Sequence, residues 1–229
     1  DALAAGEFSG PRLLASGMCI THTGGHGTEM LNGQDVAYIA DGPDEVFKAV
    51  RQQLNAGADL IKIMACHDTL EFTDDELRAV IDEAHRNGLP ITAHATYDAC
   101  IARVAEFGID CVEHGGAMKD STIQLLLDKK IPIVTTFAPL VMQANAEVAR
   151  KFNIPEWKIA ERQKAVGDPS RYQGLINAAK AGVTIAFGTD GTSIAGGAGN
   201  AQLKVTNMDA ATSRSEMSFL TFDGAALKE

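Results

Sequence analysis

Two hydrophobic patterns alternate along this chain. In the first, apolar residues recur every three or four positions, as at Val46, Val50 and Leu54, which predicts amphipathic helices. In the second, about five consecutive residues are apolar, which predicts strands covered on both faces, as parallel strands are. The unit repeats in "VRQQLNAGADLIKIM", "IDEAHRNGLPITAH", "ARVAEFGIDCVEH", "LLLDKKIPIVTT" and "LINAAKAGVTIAFGTD". Gly57, Gly88, Gly108 and Gly182 stand at the junctions, where a left-handed residue ends a helix, and Lys130 holds that place in the fourth copy. Acids mark two helix starts, Pro43-Asp44-Glu45 and Thr73-Asp74-Asp75-Glu76, where they face the positive end of the helix dipole.

Alternating helices and parallel strands imply an α/β protein. Polar residues choose between an open doubly wound sheet and a barrel. Lys62, His94, His114, Thr135 with Thr136, and Asp190 sit at or toward the C-terminal ends of successive strands. Chemistry gathered from many strand ends is the (β/α)8 TIM-barrel pattern, whereas an open sheet concentrates it at one crevice. With "PRLLASGMCIT" (Pro11 to Thr21) there are six strands, about six of the eight a closed barrel needs. The expectation is an incomplete barrel, one partial domain over residues 1–229. Within it, 137–160 reads as an inserted helical lid or substrate wall, with a packing or oligomer helix as the alternative. Residues 191–229 follow the repeat poorly, and "GTSIAGGAGN" there lacks the ending of a phosphate-binding P-loop.

Composition narrows the classes. Hydrophobic residues make up 45% and charged residues 22% of the 229, as in ordinary globular domains. A net charge of −10 disfavours nucleic acid and anionic membrane as partners. No apolar run nears the roughly 20 residues of a membrane span, and no leader peptide is visible after Asp1. A small-molecule substrate, a homo-oligomer and a cytoplasmic location are the resulting expectations. Cys19, Cys66, Cys100 and Cys111 form no CxxC pair and read as reduced core thiols.

Lys62 is the anomaly, because a bare ammonium inside an apolar strand is costly. Its neighbours in the repeat suggest the answer. Two imidazoles and a carboxylate from His94, His114 and Asp190 suit a zinc-like ion with an open position for water. Taken singly, each histidine also reads as hydrogen-bonded core, Asp190 as a turn residue, and Lys62 as an ion partner of Asp190.

The motifs "LIKIM", "ITAHA", "VEHGG" and "IAFGTD", with "GPRLLASG" upstream and "FTDDELRAVIDEAHRNGLP" between, resemble the amidohydrolase superfamily, in its imidazolonepropionase- and prolidase-like branch. The resemblance runs from about Leu3 to Asp190. It implies a metal-dependent hydrolase of N-acyl amino acids or dipeptides, with one or two divalent ions, zinc first among them. It implies that Lys62 is carboxylated and bridges the metals, that His94 and His114 hold the second ion, and that Asp190 binds the first and shuttles the proton. His26, in "THTGGHG", is an implied substrate contact, with a glycine-rich surface turn as the alternative. Tyr97, after the His94 strand, reads as a candidate contact for a substrate carboxylate, with helix packing as the alternative. His67 and His85 are expected in solvent. The resemblance departs in lacking the His-x-His pair of the family's first strand, which would precede Asp1, so the expectation is a fragment. Two other readings stand beside it: a metal-free Schiff-base lyase or aldolase using Lys62, and a non-catalytic barrel remnant.

Overall fold

The computed structural model describes residues 5–7, 13–28, 37–66, 71–188 and 190. Segment 191–229, His67 and the first residues of the strand expected from Pro11 lie outside the described residues. Among the described residues seven strands form one sheet: β1 (Cys19–Thr21), β2 (Ala37–Ile39), β3 (Ile61–Met64), β4 (Ile91–Tyr97), β5 (Cys111–Ala117), β6 (Ile133–Thr135) and β7 (Ile185–Phe187). All pairings are parallel, in the order β2-β1-β3-β4-β5-β6-β7. Sequence reading missed β2, a strand of three residues that runs straight into the next helix start. It pairs outside β1, so β2 and β7 are the terminal strands of the described sheet.

Between strands run α1 (Pro43–Asn55), α2 (Asp74–Arg86), α3 (Asp98–Phe107) and α4 (Asp120–Asp128). After β6 come α5 (Phe137–Ala144), α6 (Ala146–Lys151), α7 (Glu156–Gly167) and α8 (Pro169–Ala181). Helices α1 to α4 touch one another in chain order and α8 continues the row, as a single layer wound around one side of a sheet must. Their apolar stripes and one face of the strands enclose the core of Ile20, Val50, Ile63, Leu77, Ile91 and Ile133.

Local chemistry accounts for the helix ends. Thr73 caps α2 reciprocally with Glu76, and Glu76 Oε1 also accepts from the Gly42 backbone N at 2.7 Å, fixing the starts of α1 and α2 together. The four junction glycines all have positive φ, and Lys130 adopts the same left-handed state at +57°. In α1 the stripe differs from the expected one. Steps of four overshoot the 3.6-residue turn, so Leu54 has rotated out to 36% exposure while Gln53 is buried at 6%. Gln53 Oε1 accepts from the Met18 backbone N at 3.0 Å, which satisfies its polar end.

The expectation of four reduced thiols is corrected. Cys66, just past β3, and Cys100, in α3, form a disulfide with Cα atoms 6.5 Å apart, and Cys19 and Cys111 remain thiols. Their separation of 34 residues makes no motif; the fold brings α3 back beside the end of β3. The cysteines thus lend no support to a reducing compartment. No described helix is long and apolar enough to cross a membrane.

Candidate active site

Strand register decides which side chains share a compartment. Lys62 lies opposite Thr92, Met64 opposite His94, and His94 opposite Glu113. Residues opposite one another on neighbouring strands point to the same face. Ile61, Ile63, Ile91, Ala93 and Val112 take the helix face and are fully buried. Lys62, Thr92, His94 and Glu113 take the other. The expectation of strands apolar on both faces therefore holds for one face only, and the second is the polar floor of the site.

Lys62 Nζ forms an ion pair with Glu113 Oε2, and Thr92 Oγ1 donates to Glu113 Oε1 at 3.1 Å. The direct ion partner of Lys62 is thus Glu113, not Asp190 as the sequence suggested. Burial pulls the Lys62 ammonium down to a pKa of about 8, against the opposing pull of Asp190, Cys19 and Cys111.

His114 breaks the alternation of β5. Its register position beside Ala95 would send a regular side chain to the helix face. Instead its φ is +73° and that of Gly115 is +69°. This left-handed pair turns the imidazole onto His94, with ring centroids 4.4 Å apart at 66°. Glu113 and His114, neighbours in the chain, therefore share one compartment. His114 Nδ1 shares a hydrogen bond with the Thr136 hydroxyl, which fixes the ring from β6's end. His26 joins from the loop after β1, its ring centroid 4.5 Å from that of His94, while its backbone N donates to Glu71 Oε1 at 2.9 Å.

Asp190 follows β7 with φ of +47°. Loss of hydration pushes its carboxyl up, opposed by the charges of Lys62, His26 and Arg162. Their reach places Asp190 at the same mouth. Tyr97 ends β4, half-buried against the core. His85 is exposed and bonds Asp110 Oδ2 at 2.9 Å.

A wall rises beside His114. Phe137 follows Thr136 directly and stacks on Tyr172 of α8, with centroids 4.9 Å apart at 26°. Below Tyr172, Gly174 lies flat on the backbone of Gly116 to Met118, and Leu175 lies over Gly115. The N-terminal end of α8 thus stands over the end of β5. Sequence reasoning missed Glu113, Arg162, Arg171 and Tyr172. Strict alternation hides Glu113 beside His114, and the glycine pair after them in "VEHGG" is the one signal of the bulge.

These residues fit a divalent ion in part. His94 and His114 offer two adjacent imidazoles, and the Thr136 hydroxyl orients the His114 ring as ligand histidines are oriented. Among the described residues, no group of three or more His, Cys, Asp or Glu side chains is gathered to hold an ion. Further donors stand nearby: the Asp190 carboxylate acts electrostatically on Lys62, and Lys62 itself ligates only as a neutral amine or a carbamate.

Comparison with known proteins agrees with this geometry. The profile described as "Amidohydrolase family" matches residues 2–225, and members of that family generally use divalent metals. Ochratoxinase of Aspergillus niger is 30% identical over 217 residues, covering 81% of this chain and 43% of that protein. A prolidase solved with N-methylphosphonate-L-proline is 30% identical at a TM-score of 0.71, over 82% of this chain and 50% of its own. A Xaa-Pro dipeptidase with methionine bound in its active site is 29% identical at 0.67, over 83% and 50%. The chain thus spans about half the length of the relatives it matches, and its sheet is the incomplete TIM-barrel type expected from the repeat.

Proposed function

The chain belongs to the amidohydrolase family, and from that premise we propose that it is a metal-dependent hydrolase of an amide or peptide-like C–N bond, acting on N-acyl amino acids or dipeptides. The observation that carries this reading is the meeting of Lys62, His94 and His114, from three successive strands, on one polar face. Its relatives include a prolidase, a Xaa-Pro dipeptidase and ochratoxinase, which supports the class of bond.

A divalent ion such as zinc, held by His94, His114, Asp190 and carboxylated Lys62, would acidify a bound water and polarise the scissile carbonyl. The chain's own groups then do the following. With a pKa of about 8, roughly a tenth of Lys62 is neutral at pH 7. The neutral Nζ adds to carbon dioxide, forming an N–C bond and releasing one proton, which gives a carbamate. Thr136 holds His114 in one orientation. An Asp190 carboxylate oxygen takes the proton of the attacking water and gives it to the leaving nitrogen. His26 and Tyr97 contact the substrate, and helices α5 to α7, in the 137–160 insertion and just beyond it, wall the pocket.

The test is metal content per chain by mass spectrometry, with and without added zinc and bicarbonate, followed by a hydrolysis screen. Stoichiometric metal that vanishes in Lys62→Ala and His94→Ala, with hydrolysis of an N-acyl amino acid or dipeptide, is expected. Metal retained in both variants would refute the site. Borohydride trapping of a substrate carbonyl on Lys62 would instead establish the Schiff-base chemistry that its lowered pKa also suits.

A further inference from the structure

We propose that Arg171 anchors the free carboxylate of the substrate, so that the site selects acids over the corresponding amides. This deepens the hydrolase reading and rests on it for the substrate class. Seven arginines fall among the described residues, and six of them have a carboxylate within ion-pair reach: Arg51, Arg78, Arg86, Arg103, Arg150 and Arg162. Arg171 is the exception. Its Nε is buried and has no hydrogen-bond partner among the described residues. Asp168, three residues earlier, caps α8 through the Ser170 backbone N at 2.9 Å; its charge reaches Arg171, but the two form no ion pair.

Position makes this exception informative. Arg171 lies one turn above Gly174 and Leu175, which rest on the end of β5 at Gly115 to Met118. It adjoins Tyr172, whose ring stacks on Phe137, the residue after the His114 partner Thr136. Arg162 is close enough to act electrostatically on both Arg171 and Asp190. Arg162 therefore acts at the mouth, with Arg171 within electrostatic reach of it, in a protein whose net charge is −10. Such a chain repels anions in general, so a local cationic patch at the mouth is what admits one.

A partly buried guanidinium without a carboxylate is destabilising, and a partner from outside removes that cost. Its planar fork matches a carboxylate with two parallel hydrogen bonds. N-acyl amino acids and dipeptides each carry one such group on the amine side of the scissile bond. The stacked Phe137 and Tyr172 rings give the adjoining apolar flank.

The experiment is calorimetric titration of the full chain with N-benzoylglycine and with its carboxamide. Wild type is expected to bind the acid about tenfold or more tightly than the amide. Arg171→Met should bind both like the wild-type amide complex, and Arg171→Lys should restore part of the preference. Equal binding of acid and amide by wild type, no binding of the acid, or a preference that survives Arg171→Met would each overturn the assignment. Melting by circular dichroism checks that the variants fold, and the wild-type acid-to-amide ratio decides the matter if Arg171→Met does not. Cleavage to benzoate and glycine is followed separately. Selective binding without cleavage would sink the hydrolase reading and keep the anchor, while cleavage without selectivity would do the reverse.

Discussion

Replacing Gly174 with alanine tests how α8 is held over the site. A Cβ there would lie 2.3 Å from the Gly116 carbonyl oxygen, 2.8 Å from the Met118 nitrogen and 3.0 Å from the Ala117 Cα. All three are backbone atoms of the β5 end, so no side chain can swing aside. Ordinary contact begins at 3.4 Å, so α8 must retreat by about 1 Å. That retreat loosens Leu175, 6% exposed, from Gly115 and Ile133. Overpacking of this kind costs about 1–3 kcal/mol, offset by the roughly 0.5–1 kcal/mol that alanine gains over glycine in a helix. The net loss centres on about 1 kcal/mol and reaches about 2.5 kcal/mol, and each kcal/mol lowers the melting temperature by roughly 2–4 °C for a chain of this size. Gly167, at the end of α7, has nothing within 4 Å of its would-be Cβ and serves as the control. Urea unfolding of Gly174→Ala and Gly167→Ala beside wild type reads the difference directly. A Gly174→Ala protein as stable as wild type, or a Gly167→Ala protein equally weakened, would refute the close-packing argument.

Three further outcomes are expected. Lys130→Gly should stabilise the chain by about 1 kcal/mol in chemical unfolding, because a lysine now holds a left-handed φ of +57°. Cys66→Ser with Cys100→Ser should cost about 3–4 kcal/mol for a loop of 34 residues, and dithiothreitol should reproduce that loss in wild type alone. Stability should fall in acid. Burial would raise the Glu83 pKa, but hydrogen bonds from Arg51 and Asn87 and the charges of Arg51 and Arg86 outweigh it and hold it low. Burial likewise opposes the hydrogen bonds from Lys119 and Thr122 that hold Asp98 low. Both groups stabilise above the ordinary carboxylate range and lose that contribution from about pH 5 downward, as pH falls through their folded pKa values. Unfolding midpoints between pH 7 and 3 should therefore drop less in Glu83→Gln than in wild type.

The repeat was legible because its signals are local: helical spacing, capping acids, and a left-handed residue at each helix end. Even Lys130 could be placed by the rhythm of the glycines around it. The strand-end positions of Lys62, His94 and His114 followed from the same rhythm, and the structure brings these three together. What stayed hidden depends on contacts across the chain. Glu113 is invisible to a rule of strict alternation, because a left-handed bulge at the next residue changes the facing of β5. Arg171 lies in a helix whose amphipathic pattern is weak, and its meaning comes from the ion pair it lacks among the described residues. The Cys66 to Cys100 bond depends on where α3 docks, which no spacing encodes.

The left-handed backbone of His114 has a consequence for how the protein fails. A residue other than glycine held in that region stores about 1–2 kcal/mol, and the surrounding packing must supply it. Gly116 and Gly174 supply it by letting α8 clamp the end of β5. If that clamp loosens locally, β5 relaxes to ordinary pleating and the imidazole swings from the site toward the helices. Competence then vanishes while the rest of the sheet persists. On mild heating or in low denaturant, ligand binding should disappear before the bulk of the helix signal does.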